Sequence, residues 1–208
     1  MLLDNIFIRA LSWIFDLILL NILWVICSLP IITIGASTTA LYSMMLKIVV
    51  NEEGYIIRGF FDAFRRNFKQ STVVWMILAV IGILLGFDFT IVRMASEGFA
   101  KIGTVLMGGV VLIYVIEIIF VFPLIALFAN TTMSMLKNAI LIPVSRLPLM
   151  LLILFLTVSC VILTLLNQTT IMVGAVIWSL IGVSVLSFAN SVLIRMMVKP
   201  FMKNEYGK

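Results

Sequence analysis

Four stretches of this chain, Thr72 to Val92, Ile102 to Ala129, Leu147 to Leu166 and Ile171 to Ile194, are long and apolar enough to cross a bilayer as helices. About 20 residues, rising about 1.5 Å each, cover the roughly 30 Å of hydrocarbon. A chain of 208 residues that commits this much of itself to such runs has no room for a soluble catalytic domain. Its composition agrees: 63% of residues are hydrophobic and 11% charged, against roughly half apolar in soluble domains. The expected fold class is therefore all-α, a polytopic transmembrane helical bundle built as a single integral membrane domain over residues 1–208.

The front of the chain is harder to thread. No charge occurs from Leu17 to Leu46, a length too great for one span and short for two. Pro30 and Gly35 interrupt it, and proline disfavours helix at the residue before it. Either Trp13 to Leu29 crosses and "TIGASTTALYSMMLKIVV" lies against one side or re-enters, or both pieces cross as a tight hairpin. Five spans are expected, about 13–34, 72–92, 102–129, 147–166 and 171–194, with segment 34–50 as an open sixth. The N-terminus carries an acidic residue and lacks a small-residue cleavage site, so the first helix is expected to stay as a signal anchor.

Lys47, Arg58, Arg65, Arg66, Lys69, Lys137, Arg146, Arg195, Lys199, Lys203 and Lys208 all fall on one side in this threading, against Arg93 and Lys101 on the other. Cytoplasmic loops carry the excess of Lys and Arg, so residues 51–71 and the C-terminus are expected to be cytoplasmic. The side of Arg9 depends on the sixth segment.

Several functions are disfavoured by what the chain lacks. Histidine is absent and the two cysteines, Cys27 and Cys160, sit apart in apolar runs, so no metal, cofactor or catalytic site is expected. No phosphate loop, nucleophile elbow or aromatic-basic nucleic-acid surface occurs. The net charge of +5 is accounted for by the basic loops. Neither an enzyme nor a nucleic-acid partner is expected.

Two sets of residues stand out. The stretch "YIIRGFFDAFRRNFKQ", Tyr55 to Gln70, reads as a cytoplasmic amphipathic helix. Ile57, Phe60, Phe61, Phe64 and Phe68 recur at three- and four-residue steps, and Arg58, Asp62, Arg65, Arg66 and Lys69 share the other face. Such a helix can lie in the interface with its cations on anionic headgroups, or serve as a docking surface for a partner protein; Arg58, Phe60, Phe61, Phe64, Arg65, Arg66, Phe68 and Lys69 are its contact candidates. The second set is polar residues inside apolar runs, Asp16, Asn21, Asp88 and Glu117, with Asn190 near the end of the last. Ionisable groups in a membrane usually face protein or water, so a small secondary transporter coupled through Glu117 or Asp88 is one reading, and hydrogen bonding between helices is the other. "GILLG", Gly82 to Gly86, has the spacing of a close helix contact.

In order along the chain, "ICSLPIITIGAS", "EEGY" and "FFDAFRRNFKQ" resemble the signature of the YesL family of bacterial integral membrane proteins, over about Asp16 to Gln70, with Ile26 where a Leu is expected. The family is a domain of unknown function with no catalytic residues to carry over. Its members are commonly encoded beside carbohydrate ABC importers and glycan-degrading enzymes. The resemblance implies a multi-pass protein of the bacterial cytoplasmic membrane, an accessory of ABC-type carbohydrate uptake whose partners are permease subunits, with homo-oligomers, a transporter, and an envelope scaffold or sensor as alternatives.

Overall fold

A computed structural model describes residues 2–52, 54–94 and 97–205, with side chains over 11–52, 54–88 and 103–201. Arg9, Arg93, Lys101, Lys203 and Lys208, which enter the orientation argument, lie outside the described side chains. Every regular element among the described residues is helical: α1 Leu2–Ser28, α2 Ile34–Ile48, α3 Ile56–Met94, α4 Glu97–Leu127, α5 Thr132–Val144, α6 Leu147–Leu165, α7 Gln168–Ile177 and α8 Val183–Glu205. Six segments are long and apolar enough to cross a membrane: Leu11–Ser28, Ile31–Ile48, Ile56–Asp88, Gly103–Leu127, Leu147–Leu165 and Gln168–Phe201. The chain is an all-α bundle and a multi-pass membrane protein, and large apolar side chains such as Leu106, Leu112 and Phe155 cover its outer surface.

The first expected span, 13–34, is cut short. Helix α1 stops at Ser28 because Pro30 cannot continue its hydrogen-bond ladder. A 3₁₀ turn over Ile31–Thr33 follows, and the Thr33 hydroxyl lies 2.6 Å from the carbonyl of Cys27 and 2.7 Å from that of Pro30. These contacts satisfy carbonyls that the broken helix leaves open. The open segment 34–50 is helix α2, and it is the most buried element of the bundle, with Ala36, Ala40, Leu41 and Met45 fully enclosed.

Helix α2 is buried because its residues are small enough for close approach. A Cβ on Gly35 would stand 2.5 Å from the carbonyl oxygen of Ser71 and 2.6 Å from Cβ of Trp75. Thr39 and Ser71, both fully buried, share a 2.8 Å hydrogen bond, and at the other end Gly59 meets Met44. Small residues at spacings of four or multiples of four, Gly59, Ala63 and Ser71 on α3 against Gly35, Thr39 and Ser43 on α2, let the backbones touch, as in membrane helix pairs generally. Arg195 of α8 donates to the carbonyl of Leu46 at 3.0 Å, which closes the C-terminal turn of α2 with a cation where the helix dipole favours one. Two clusters of buried apolar residues, one around Phe120, Leu124 and Ile153, the other around Leu20, Met44 and Phe60, meet at α2, which contributes to both.

Two expected elements merge. The amphipathic segment 55–70 and the run 72–92 form one helix, α3, of 39 residues, about 58 Å long. Between Gly59 and Gly82 the sequence has neither Gly nor Pro, so nothing breaks the helix. Segment 55–70 is therefore no separate helix lying flat at an interface. The run 171–194 behaves conversely: α7 and α8 are continuous but joined through a π turn at Trp178–Gly182.

Candidate functional site

At the centre of the bundle is a cavity of about 220 Å³. Thr38 and Tyr42 reach it from α2, Thr157 from α6, and Ser187 and Asn190 from α8; Trp24, Trp75 and Phe122 add aromatic walls from α1, α3 and α4. Its polar groups are tied across helices. Asn190 donates to Thr157 Oγ1 at 3.1 Å and, more weakly, to the Tyr42 hydroxyl at 3.5 Å. Trp24 donates to Thr38 at 3.1 Å, and Trp75 donates to the carbonyl of Ile31 at 2.8 Å. Every wall residue is uncharged. With its polar groups bonded to one another, the cavity presents a mostly apolar surface and offers nothing to neutralise an ion.

Asn21, fully buried, does a different job. Its Nδ2 donates to the carbonyls of Trp178 at 3.0 Å and Ser179 at 2.7 Å, and its Oδ1 accepts from the backbone N–H of Ser184 at 3.0 Å. A π turn shifts the helical hydrogen-bond register and leaves such groups without their usual partners, and one amide on α1 supplies them. Beside it, Trp178 donates to Thr164 at 3.0 Å, where Gly174 leaves room for the Thr164 methyl. The polar residue singled out in the first span is thus a clamp between helices.

The structure does not gather Asp16, Asn21, Asp88 and Glu117 into one intramembrane site. The Tyr114 hydroxyl donates to the carbonyl of Leu78 at 2.9 Å and fills the space at Gly82, which fixes the register of α4 on α3. Asp88, exposed, lies ten residues beyond Leu78, about 15 Å along α3, while half-buried Glu117 lies on the other side of Tyr114 along α4. Neither acid, nor Asp16, lines the central cavity. Within "GILLG" the close side-chain approach is at Gly82, where a Cβ would meet the Tyr114 hydroxyl, whereas a Cβ on Gly86 would have room.

Segment 55–70 divides differently from its sequence pattern. Phe60 is fully buried and packs with Ala63 against Leu17, Leu41 and Met44, so Phe60 cannot touch lipid or a partner; Phe64 is half-buried and stacks on it at 6.5 Å. The buried stripe runs Phe60, Ala63, Ser71, Val74, Leu78. Phe61 and Phe68, 37% and 40% exposed, together with Ile57 border the exposed cations Arg58, Arg65, Arg66 and Lys69. Arg58 makes a loose 3.9 Å ion pair with Asp62, both well exposed, and such pairs contribute little. The outward edge is a mixed aromatic and cationic strip. Beside it, Arg66, Asn67 and Gln70 border a polar recess with the α4–α5 connection, where Gln70 donates to the carbonyl of Asn130 at 2.8 Å.

Of the cavity residues, Trp24, Thr38, Tyr42, Trp75, Thr157 and Ser187 do not stand out in the sequence. A signal was available: Ser184, Ser187 and Ser191 recur at three and four residues beside Asn190 in an otherwise apolar helix, a polar stripe that marks an inward face.

No curated protein and no solved structure matches the chain. Residues 17–89, which take in the C-terminal part of α1, all of α2 and most of α3, match the model of a family described as "Protein of unknown function, DUF624".

Proposed function

We propose that this chain is a non-enzymatic membrane protein that works through a partner, and that the partner is the permease of an ABC-type carbohydrate importer in the bacterial cytoplasmic membrane. The observation that carries this reading is the outward edge of α3, where exposed Phe61 and Phe68 lie beside Arg58, Arg65 and Lys69 while the opposite side of the same helix is fixed against α2. Aromatic and Arg side chains held on a rigid element are the groups that dominate protein interfaces, and α3 presents them on a backbone that is already ordered. The carbohydrate importer and the finer assignment to YesL-type proteins come from the sequence resemblance. The excess of Lys and Arg in the connections supports a cytoplasmic C-terminus.

Reversing Arg65 and Arg66 to Glu tests the reading. Recovery of tagged importer permease subunits should fall at least fivefold with membrane insertion and melting temperature unchanged. If partner recovery is unaffected, or if insertion alone fails, the strip is an orientation signal and the docking reading is wrong. Transport coupled through Glu117 or Asp88 has less support, because both acids stand off the cavity wall.

A further inference from the structure

We propose that the recess between α3 and the α4–α5 connection is a binding site for one anionic phospholipid, whose phosphate is held by Arg66. The site is independent of the docking strip. At about 100° per residue, Arg66 stands about 140° around α3 from Phe61 and about 160° from Phe68, on the opposite flank of the helix. The level of the recess points to a lipid. Gln70 follows the last cation before the apolar run of α3, Lys69, and from Ser71 to Phe87 the helix carries no charge. Across the recess the apolar span Gly103–Leu127 ends, and the polar residues Asn130 and Thr131 follow. Three contacts set this register: Tyr114 on Leu78, Phe122 on Trp75, and Asn130 on Gln70. Both apolar runs therefore end at the recess, which is the level of the lipid headgroups.

The wall combines the two characters that a phospholipid presents. Leu127 and Phe128 are apolar, while Arg66, Asn67 and Gln70 are polar. No acid lines the recess, and Arg66, exposed, has no carboxylate partner among the described residues; Asp62, one turn before it, pairs with Arg58. The charge of the wall is thus positive and uncompensated, and a guanidinium fits the paired oxygens of a phosphate. The Asn67 and Gln70 amides each spend one N–H on a carbonyl, of Ala63 at 3.1 Å and of Asn130 at 2.8 Å, which leaves each a second N–H for a phosphate oxygen. Basic pockets between membrane helices take anionic headgroups in this way, whereas the cation of a zwitterionic headgroup would find no carboxylate here. The recess, about 720 Å³ and open to the side, has the space of about 24 waters at roughly 30 Å³ each, enough for the glycerophosphate portion with the acyl chains outside.

The test titrates the full-length, delipidated protein in detergent with phosphatidylglycerol or phosphatidylcholine and counts bound lipid by native mass spectrometry. The proposal expects the first phosphatidylglycerol to bind at least fivefold more tightly than phosphatidylcholine, with this preference lost in Arg66→Gln and kept in Arg65→Gln, which alters the neighbouring strip. Equal binding of the two lipids, or a preference that survives in Arg66→Gln, refutes the site. Equal loss in both variants would show a diffuse pull of the whole cationic face and refute it too. Excess soluble glycerol 3-phosphate should not displace the lipid; displacement would reveal a site for free phosphate esters and overturn the lipid assignment. Should Arg66→Gln not be recovered as monodisperse protein, Ala129→Glu, which sets a carboxylate on the recess wall, decides by the same fivefold criterion.

Discussion

Three hydrogen bonds from Asn21 answer the register shift that the π turn opens in the last long helix. In a membrane bundle, bonds between helices contribute roughly 0.6 kcal/mol each, so Asn21→Leu should destabilise the protein by about 2 kcal/mol, read as a lower melting temperature in detergent; an unchanged melting curve would show that the turn stands without the clamp. Gly35 makes the complementary point about space. Its replacement by Ala forces a Cβ into the Ser71 carbonyl and Trp75, an overpacking expected to cost about 1–3 kcal/mol. Gly108→Ala, where a Cβ meets nothing within 4 Å, should be neutral or stabilise by up to about 1 kcal/mol through helix propensity. Equal effects of the two substitutions would contradict the account of α2 as a helix seated by backbone contact. Asn21 was visible in the sequence as a polar residue out of place, but its role was not, because its partners are backbone groups more than 150 positions away.

At the scale of elements, α3 departs most from its sequence pattern. Hydropathy divides it into an amphipathic segment and a span, yet hydropathy does not break helices; Gly and Pro do, and neither lies between Phe60 and Ile81. Spin labels at the exposed positions Arg58 and Ile83 should therefore report a separation near 38 Å, from 25 residues at about 1.5 Å each. A right-angle bend near Gln70, as for a helix lying at an interface, would give about 27 Å and would refute the continuous helix. The same element shows why the contact residues were only partly legible. Periodicity places Phe60, Phe61, Phe64 and Phe68 on one broad stripe, but which part of it is covered depends on where α2 sits, and α2 covers Phe60 and leaves Phe61 and Phe68 outside.

For the whole molecule, the four long apolar runs made the bundle legible, because about 20 apolar residues admit few other fates. Segment 34–50 was not legible, since a stretch rich in Gly, Ala, Ser and Thr scores as weakly apolar whether it crosses, re-enters or lies on the surface. Its burial comes from small residues facing small residues on α3, a property of the pair. The central cavity was hidden for the same reason: its wall is shared among six helices, each contributing one to four residues, and only the serine stripe of α8 shows within one segment. The proposed function, at this scale, rests on the outward strip of α3 meeting a partner. The most direct measurement is photocrosslinking in the native host from a probe placed at Phe61 or Phe68, with the same probe at Phe155, exposed on α6, as the comparison, and adducts identified by mass spectrometry. The account predicts discrete adducts to carbohydrate-importer permease subunits from Phe61 and Phe68 and none from Phe155. Lipid adducts alone from all three positions would contradict it.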